Sequence, residues 1–377
     1  MELPRQEIDP DGLLEYSVVF TDRALNHMSK RFVGVMQRLV DVLATTYRAE
    51  SVAVLPGGGT FGMESVVRQL ATGRRCLIVR NGYFSYRWSQ ILTTGGITDD
   101  VTVLTARPTA QAHPAPWAPP PIEEVVGTIA EQKPRLVLAA HVETAAGIVL
   151  PDDYLRAVAR ATYEAGGLFV LDCIASGALW VDMADLGVDV LISAPQKGWS
   201  GSPGAAYVMV NGRARAAINE TTSTSFTADL RRWLAISEGY VEGRHDYHAT
   251  MPTDTLAHNA ELMIEATRRG LPALREAQLE LGGKVRALLA ERGFVSVAAP
   301  EYAAASVVVV HTDDPGLRSG EKFVSAGLQA AAGVPLMCGE PEGFSTFRLG
   351  LFGLDKWADV DGTVARLAER LDRAVAL

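Results

Sequence analysis

Short apolar runs alternate with longer amphipathic segments along this chain, and the pattern predicts an α/β fold. Leu168–Leu171 and Val188–Ile192 are two such runs, mostly apolar and bounded by small residues. Runs of this length and composition are typical of buried parallel strands. Met36–Tyr47 has its apolar residues at helical spacing instead, which predicts a helix. We therefore expect parallel strands that are connected by helices.

Both strands lead to charged residues that could share one site. Asp172 follows the first strand, and the second leads through Ser-Ala-Pro to Gln196 and Lys197. Because open parallel sheets bind ligands beyond the carboxyl ends of their strands, Asp172 and Lys197 should be neighbours in space. A lysine can form a Schiff base with the aldehyde of pyridoxal phosphate, and an aspartate can keep the pyridine nitrogen protonated. A salt bridge at the rim of the sheet would explain the two residues equally well.

A glycine-rich turn at Gly57–Thr60 joins a predicted strand to a predicted helix. The amide groups at such a helix start bind anions, so a phosphate site is expected there. Gly57-x-Gly59-x-x-Gly62 also satisfies the dinucleotide fingerprint, which wants an acidic residue about 20 residues further on. The next strand ends in Arg80 instead. An arginine suits a 2′-phosphate, so NADP remains a second candidate for this turn.

Composition limits the class of protein. The 377 residues predict two domains, and the net charge of −9 argues against nucleic acid or an anionic membrane as partner. We find no apolar run of the roughly 18 residues that would span a bilayer, and the N-terminus lacks the features of a signal peptide. Three widely spaced cysteines predict a reducing cytoplasmic location without a zinc site.

Two segments near the C-terminus carry further candidate residues. Arg244–Pro252 contains His245 and His248, but no third ligand follows at a suitable spacing, so we expect no metal site. Arg348 lies in a strand-like run and is flanked by apolar residues. An arginine in such a place generally binds an anion, and its planar fork suits a carboxylate.

In this order, the motifs resemble those of the class V aminotransferases of fold type I, nearest to the alanine–glyoxylate and serine–pyruvate group. The resemblance covers roughly residues 30–370. Seven motifs in one order are much more specific than the dinucleotide fingerprint alone. The matching segments are GGGTFGME at 57–64, NGYFSYR at 81–87, HVETAAG at 141–147, LDCIAS at 171–176, SAPQKGWSGSPG at 193–204, YHATMP at 247–252 and FRLGLFG at 347–353.

The resemblance implies a role for each matched residue. Lys197 and Asp172 would be catalytic, and Arg348 would bind the substrate carboxylate. Phe84 and Ile174 would cover the two faces of the pyridoxal phosphate ring, while Tyr247 and Thr250 would reach the phosphate of the partner subunit. The implied cofactor-binding residues are Gly58, Gly59, Thr60, Phe84, Thr144, Asp172, Ile174, Gln196, Lys197, Tyr247 and Thr250.

The resemblance also implies an architecture and an activity. We expect an N-terminal arm at 1–20, a large cofactor-binding domain at 21–258 with a mostly parallel, seven-stranded sheet, and a smaller α+β domain at 259–377. The protein would be a homodimer whose active site is shared across the interface. It would move an amino group from a small amino acid to a 2-oxo acid such as glyoxylate or pyruvate.

Three alternatives remain open on the same fold. Cys338 lies in a glycine-rich loop, so a lyase or cysteine desulfurase is one of them. The others are a transaminase of the 2-aminoethylphosphonate type and a binding protein without activity. The family usually has a Gly-Pro-Gly-Pro turn where this chain has YSVVFTDRALNHMS, and Thr60 is unusual in its turn. Both departures lie near the substrate, so the resemblance implies the cofactor chemistry more firmly than the amino donor.

Overall fold

The computed structural model describes residues 6–111 and 113–377. The first five residues of the predicted N-terminal arm therefore lie outside the described residues. The apolar run Tyr16–Phe20 would suit a short strand, but this segment is irregular in the structure. Tyr16 is 88% exposed and Val18 is fully exposed, and a strand needs a neighbour to which its backbone can bond.

Fourteen strands are present in the described residues. In chain order they are β1 (Ser51–Gly57), β2 (Cys76–Arg80), β3 (Val101–Thr105), β4 (Arg107–Pro108), β5 (Trp117–Ala118), β6 (Leu136–Ala140), β7 (Val142–Glu143), β8 (Ile148–Val149), β9 (Leu168–Asp172), β10 (Val190–Ser193), β11 (Gly204–Val210), β12 (Val307–His311), β13 (Ala331–Ala332) and β14 (Thr346–Gly350).

Fourteen α-helices accompany these strands, together with one short 3₁₀ turn at Pro300–Tyr302. The helices are α1 (Lys30–Tyr47), α2 (Gly59–Leu70), α3 (Tyr83–Thr94), α4 (Ile122–Gln132), α5 (Asp152–Glu164), α6 (Met183–Leu186), α7 (Gly212–Asn219), α8 (Leu230–Val241), α9 (Thr253–Arg269), α10 (Leu271–Glu291), α11 (Pro315–Ser319), α12 (Glu321–Ser325), α13 (Leu354–Ala358) and α14 (Val360–Ala376).

Seven strands form the central sheet in the order β1-β11-β10-β9-β6-β2-β3. Strands β10, β9, β6, β2 and β3 run parallel to one another, while β11 is antiparallel to both of its neighbours. Strand β1 therefore points the same way as the parallel set. The predicted α/β fold with a mostly parallel seven-stranded sheet is confirmed.

The burial of the central strands explains why their sequences are short apolar runs. Every residue of β6, β9 and β10 is buried, because other strands lie on both sides and helices such as α2, α3 and α5 pack against them. Helix α1 begins at Ser29, whose side chain accepts a hydrogen bond from the Phe32 amide. The helix therefore begins at Lys30, six residues before the predicted start at Met36, because the capping residue Ser29 precedes the apolar segment on which the prediction rests.

The C-terminal part holds a separate, three-stranded antiparallel sheet in the order β12-β14-β13. Helices α10 and α14 pack together beside it, and α10 also contacts β12. Helix α9 runs through residues 258 and 259, so one continuous element crosses the predicted domain boundary. The division into an arm and two domains stays a prediction.

In the part of the chain that the structure describes, no helix combines the length and apolar character that a membrane crossing requires. Within those same ranges, no group of three or more histidine, cysteine, aspartate or glutamate residues could hold a metal ion.

Candidate active site

Asp172 and Lys197 lie at the carboxyl edge of the central sheet. Asp172 is the last residue of β9, and its backbone carbonyl accepts a hydrogen bond from His141, which follows β6. Lys197 lies four residues after the end of β10 in a tight turn, which is closed by a 3.0 Å bond from the Ser200 amide to the Lys197 carbonyl. Because β9 and β10 are parallel neighbours, the sheet brings both residues to one place.

Burial controls the charge of Asp172. The residue is 6% exposed, and burial raises the pKa of its carboxyl group from 3.8 to about 6. A 2.9 Å hydrogen bond from the Ile174 amide to Oδ1 opposes this rise, as do the positive charges of Lys197 and Arg87. A cationic ligand group beside this carboxylate would therefore be bound strongly.

The amine of Lys197 shows the opposite shift. Burial is the main cause that lowers its pKa, and Asp172 opposes the change, while the guanidinium groups of Arg348 and Arg87 lower it further. Nζ lies 5.1 Å from the centre of the Phe352 ring. The environment therefore makes it easier for Lys197 than for a free lysine to lose its proton and become the neutral, nucleophilic amine.

The glycine turn lies at the same edge, because β1 points the same way as the parallel strands. The amides of Phe61 and Gly62 bond to the Gly58 carbonyl as α2 begins, so the amides before them have no partner inside the helix. A Cβ atom on Gly59 would lie 2.1 Å from Cδ1 of Ile174. Glycine at this position therefore lets the turn approach Ile174, next to Asp172.

Phe84 lies in the first turn of α3 and is held there by Glu143, a residue that sequence reasoning did not assign. Glu143 is fully buried and accepts bonds from the amides of Phe84 (3.1 Å), Ser85 (2.9 Å) and Ala145 (2.9 Å). It also accepts a 2.6 Å bond from the Ser85 hydroxyl. The acidic residue of the HVETAAG segment thus fixes the aromatic segment in place.

Arg348 and Arg87 both lie against the ring of Phe84. The guanidinium carbon is 5.4 Å from the ring centre for Arg348 and 5.3 Å for Arg87. Arg348 projects from β14 and donates from Nε to the Ala332 carbonyl at 2.8 Å. Burial lowers the pKa of Arg348, and the charge of Glu143 opposes that change. No role was assigned to Arg87 from the sequence, because the segment at 81–87 was interpreted through its aromatic residues and not as the start of a helix.

The remaining candidates fall into two groups. Thr144 lies half-buried in the turn between β7 and β8, and Gln196 adjoins Lys197 with a buried Oε1 that has no partner in residues 6–111 and 113–377. Tyr247 and Thr250 are exposed, and their hydroxyl groups bond to each other at 3.1 Å. The ring of Tyr247 contacts His27, not the residues around Lys197.

These residues fit pyridoxal phosphate. The start of α2 offers free amides to a phosphate, and the unpartnered Oε1 of Gln196 can accept a bond from a ligand. The buried carboxylate of Asp172 suits a protonated pyridine nitrogen, and the amine of Lys197 suits an aldehyde. The sheet and the residues at its edge define a fold type I enzyme that depends on pyridoxal phosphate.

Comparison with known proteins narrows this class. Residues 14–314 match the family Aminotransferase class-V. The chain is 27% identical over 380 residues to a 2-aminoethylphosphonate–pyruvate transaminase of Burkholderia ambifaria, covering 96% of this chain and 95% of that protein. It is 29% identical over 307 residues to an L-aspartate–glyoxylate aminotransferase of Paracoccus denitrificans, covering 78% and 73%. A match of 28% to the small subunit of a soluble hydrogenase of a Synechococcus species spans 53% of that protein.

A solved structure agrees in fold. The alanine–glyoxylate aminotransferase of a Nostoc species superimposes with a TM-score of 0.77 at 20% identity, covering 93% of this chain and 88% of that one. The chain therefore belongs to the class V aminotransferases, and it is a pyridoxal-phosphate-dependent enzyme that transfers amino groups.

Cys338 does not have the properties of a desulfurase nucleophile. Burial is the main cause that raises its pKa to about 12, and the charges of Glu143 and Glu340 act in the same direction. Its sulfur faces the Arg80 carbonyl at 3.5 Å. Because the reactive form of cysteine is the thiolate, this protonated thiol suits packing better than catalysis.

Proposed function

We propose that this aminotransferase takes an amino group from a small amino acid and delivers it to a 2-oxo acid such as glyoxylate or pyruvate. The observation that carries the proposal is the pair formed by the buried Asp172 and the half-buried Lys197 at the carboxyl edge of the sheet, with Arg348 close enough to act on the charge of Lys197. An acid, an amine and a carboxylate-binding cation are the groups that such a transfer requires.

The residues at the sheet edge would hold the cofactor. Gly58, Gly59 and Thr60 would bind its phosphate, with Gln196 and Thr144 as further polar contacts, while Phe84 and Ile174 would cover the ring faces. The ionised carboxylate of Asp172 would accept a hydrogen bond from the protonated ring nitrogen. When bound, pyridoxal phosphate supplies an aldehyde that accepts the amino group and a ring that withdraws electrons from the reacting carbon.

Lys197 would move the proton. Its amine would take the proton from the α-carbon of the amino acid and deliver it to the carbon that was the aldehyde carbon of the cofactor, because a neutral amine is a base of suitable strength. The burial that lowers its pKa keeps a fraction of the amine neutral. Arg348 would hold the carboxylate of the donor and of the acceptor in turn.

A 2-aminoethylphosphonate donor is the second candidate. It is supported by the similarity to a transaminase of that name over 96% of this chain. Such a donor has no α-carboxylate, and its phosphonate lies one carbon further from the carbon that bears the amino group. A guanidinium binds either a carboxylate or a phosphonate. The L-aspartate–glyoxylate relative supports an amino acid donor and a glyoxylate acceptor to a similar degree.

We further propose a cytoplasmic homodimer with the domain division given above. Tyr247 and Thr250 would bind the phosphate in the partner's site, which explains why two hydroxyl groups are exposed together on one chain. The exposed ring of Phe61, at the start of α2, would be covered in the interface.

A donor screen tests the proposal. The holoenzyme is mixed with single donors, namely alanine, serine, aspartate and 2-aminoethylphosphonate, and conversion to the pyridoxamine form is followed by absorption. Acceptors are then added to reverse the change. We expect an amino acid to react and glyoxylate or pyruvate to restore the spectrum. Lys197→Ala is the matched control and should convert no donor, and borohydride should label wild type at Lys197 alone. Labelling of another lysine would refute the assignment.

A further inference from the structure

Arg87 is a second cation at the proposed site, and the proposed function leaves it without a role. It lies one turn after Phe84 on α3. The first turn of this helix is held in place by hydrogen bonds from its amides to the buried Glu143. Its Nη1 donates to Oγ1 of Thr60 at 3.0 Å, so the side chain is held between α3 and α2. The position is therefore built and does not depend on a free surface side chain.

The charge of Arg87 has no direct counterion among the residues that the structure describes. Neither Arg87 nor Arg348 forms an ion pair with a carboxylate in the described ranges 6–111 and 113–377. Both carboxylate oxygens of Glu143 already accept hydrogen bonds from amides of α3 and of the turn that joins β7 to β8. Two half-buried cations beside one ring repel each other unless anions lie between them.

Both cations lie close to the reacting amine. Their guanidinium carbons are 5.3 and 5.4 Å from the centre of the same ring, so they are no more than about 11 Å apart, the sum of those distances. Both charges also act on Lys197, whose pKa each of them lowers. A charge-assisted hydrogen bond is about 2.8 Å long, so a four-carbon diacid can bridge a gap of this size.

We propose that Arg87 binds the distal anionic group of the substrate while Arg348 binds the carboxylate next to the reacting carbon. The site would then prefer a donor or acceptor with two negative groups, such as a four-carbon amino diacid, over alanine. This inference rests on the proposed function, and it names the substrate class of the same site. The Thr60 hydroxyl orients Arg87, which gives a reason for a hydroxyl residue in that turn.

The test compares wild type, Arg87→Ala and Arg87→Lys, with Arg156→Ala as a control on the exposed surface of α5, where Arg156 pairs with Asp153 and Asp185. Binding of the unreactive diacid succinate and of the monoacid butyrate to each holoenzyme is measured by calorimetry. The half-reaction rates with aspartate and alanine, and the Kd of pyridoxal phosphate, are measured on the same proteins.

In wild type we expect succinate to bind at least about tenfold more tightly than butyrate, because only succinate can form charged hydrogen bonds with both guanidinium groups. Arg87→Ala should remove this difference and lower kcat/KM for aspartate about tenfold or more, with little change for alanine. Arg87→Lys should fall between them, and Arg156→Ala should match wild type.

Other outcomes overturn the inference. A rise in the Kd of pyridoxal phosphate with equal losses for aspartate and alanine would mean that Arg87 binds the cofactor phosphate. Equal binding of succinate and butyrate to an active wild type would mean that no distal anion is recognised. A wild type that converts no donor would refute the proposed function itself, which is a different result from either of these.

Discussion

At the scale of single residues, burial rather than residue type decides the chemistry of this site. An aspartate and a lysine at the rim of a sheet would ordinarily both be charged and hydrated. Here burial raises the pKa of Asp172 to about 6 and lowers the pKa of Lys197, so their charges respond to what binds between them. The pair is suited to a ligand that places a cationic group beside Asp172 and an electrophilic group beside Lys197.

The raised pKa of Asp172 predicts how cofactor binding depends on pH. Only the ionised carboxylate pairs with a protonated pyridine nitrogen, so protonation below about pH 6 should weaken binding by up to about tenfold per pH unit. The Kd of pyridoxal phosphate, titrated from pH 7.5 to 5, should rise more steeply for wild type than for Asp172→Asn. Because the cofactor's own titrations affect both proteins, the difference in slope reports Asp172. Parallel curves would contradict the assignment.

Arg348 gives a second prediction at this scale. Arg348→Lys keeps the charge but loses the planar fork, so we expect kcat/KM to fall about tenfold or more. Arg348→Ala should cost more, and equally in both half-reactions, because donor and acceptor present their carboxylates to one residue. Stopped-flow measurement of each half-reaction checks this. The Kd of the cofactor should stay near that of wild type; a loss confined to cofactor binding would show that Arg348 is not a substrate residue.

At the scale of elements, close contacts made by glycine hold the site together. Gly198 follows Lys197, and a Cβ atom there would lie 2.3 Å from the Gly177 carbonyl oxygen, which is backbone and cannot move aside. Ser200 then adopts a left-handed conformation with φ of 56°, and its hydroxyl accepts a bond from the Leu354 amide at the start of α13. The lysine turn is thereby attached to the C-terminal part of the chain.

Two adjacent glycines of α10 provide a matched test of such contacts. A Cβ atom on Gly282 would lie 2.6 Å from the Cα of Ala305, whereas one on Gly283 would meet nothing within 4 Å. Gly282→Ala should destabilise the protein by about 1–3 kcal/mol through overpacking against backbone. Gly283→Ala should stabilise it by up to about 1 kcal/mol, because alanine is the better helix former. Thermal and urea unfolding measure both, and effects of equal sign would contradict the packing described here.

At the scale of the whole molecule, a single chain leaves several large apolar side chains exposed to water. Phe61 is 60% exposed at the start of α2, and Phe226 is 76% exposed beside His248. Leu13 and Tyr16 of the N-terminal segment are more exposed still. The proposed homodimer would remove such groups from water and bring Tyr247 to the partner's phosphate.

Subunit complementation tests this arrangement. Lys197→Ala and Tyr247→Ala are each expected to be inactive or weak as homodimers. In a mixed dimer, one site would combine Lys197 from one subunit with Tyr247 from the other and would be intact. Equal mixing by joint refolding should therefore restore about a quarter of wild-type sites, since half of the dimers are mixed and each has one intact site. No restoration would mean that Tyr247 serves its own subunit or none.

From its pattern of residues alone, the chain could be assigned to the α/β class and to its family, and several strands of the central sheet could be located. Apolar runs such as Leu168–Leu171 are unambiguous because strands buried on both faces tolerate few polar residues. Asp172 and Lys197 could be assigned to one edge because parallel strands end there together. The glycine turn could be recognised for a similar reason, since its conformation and its contact with Ile174 restrict the residue type.

The positions of Glu143 and Arg87 and the electrostatics of the site became visible only in the folded structure. Glu143 bonds to amides 58 and 59 residues away in sequence, and no local pattern signals such a partner. The guanidinium groups of Arg87 and Arg348 both lie against the ring of Phe84, although 261 positions separate the two arginines in sequence. The shifts in the pKa of Asp172 and Lys197 follow from burial, which depends on everything packed around them. Sequence patterns report local geometry, whereas desolvation and long-range contacts exist only once the chain has folded.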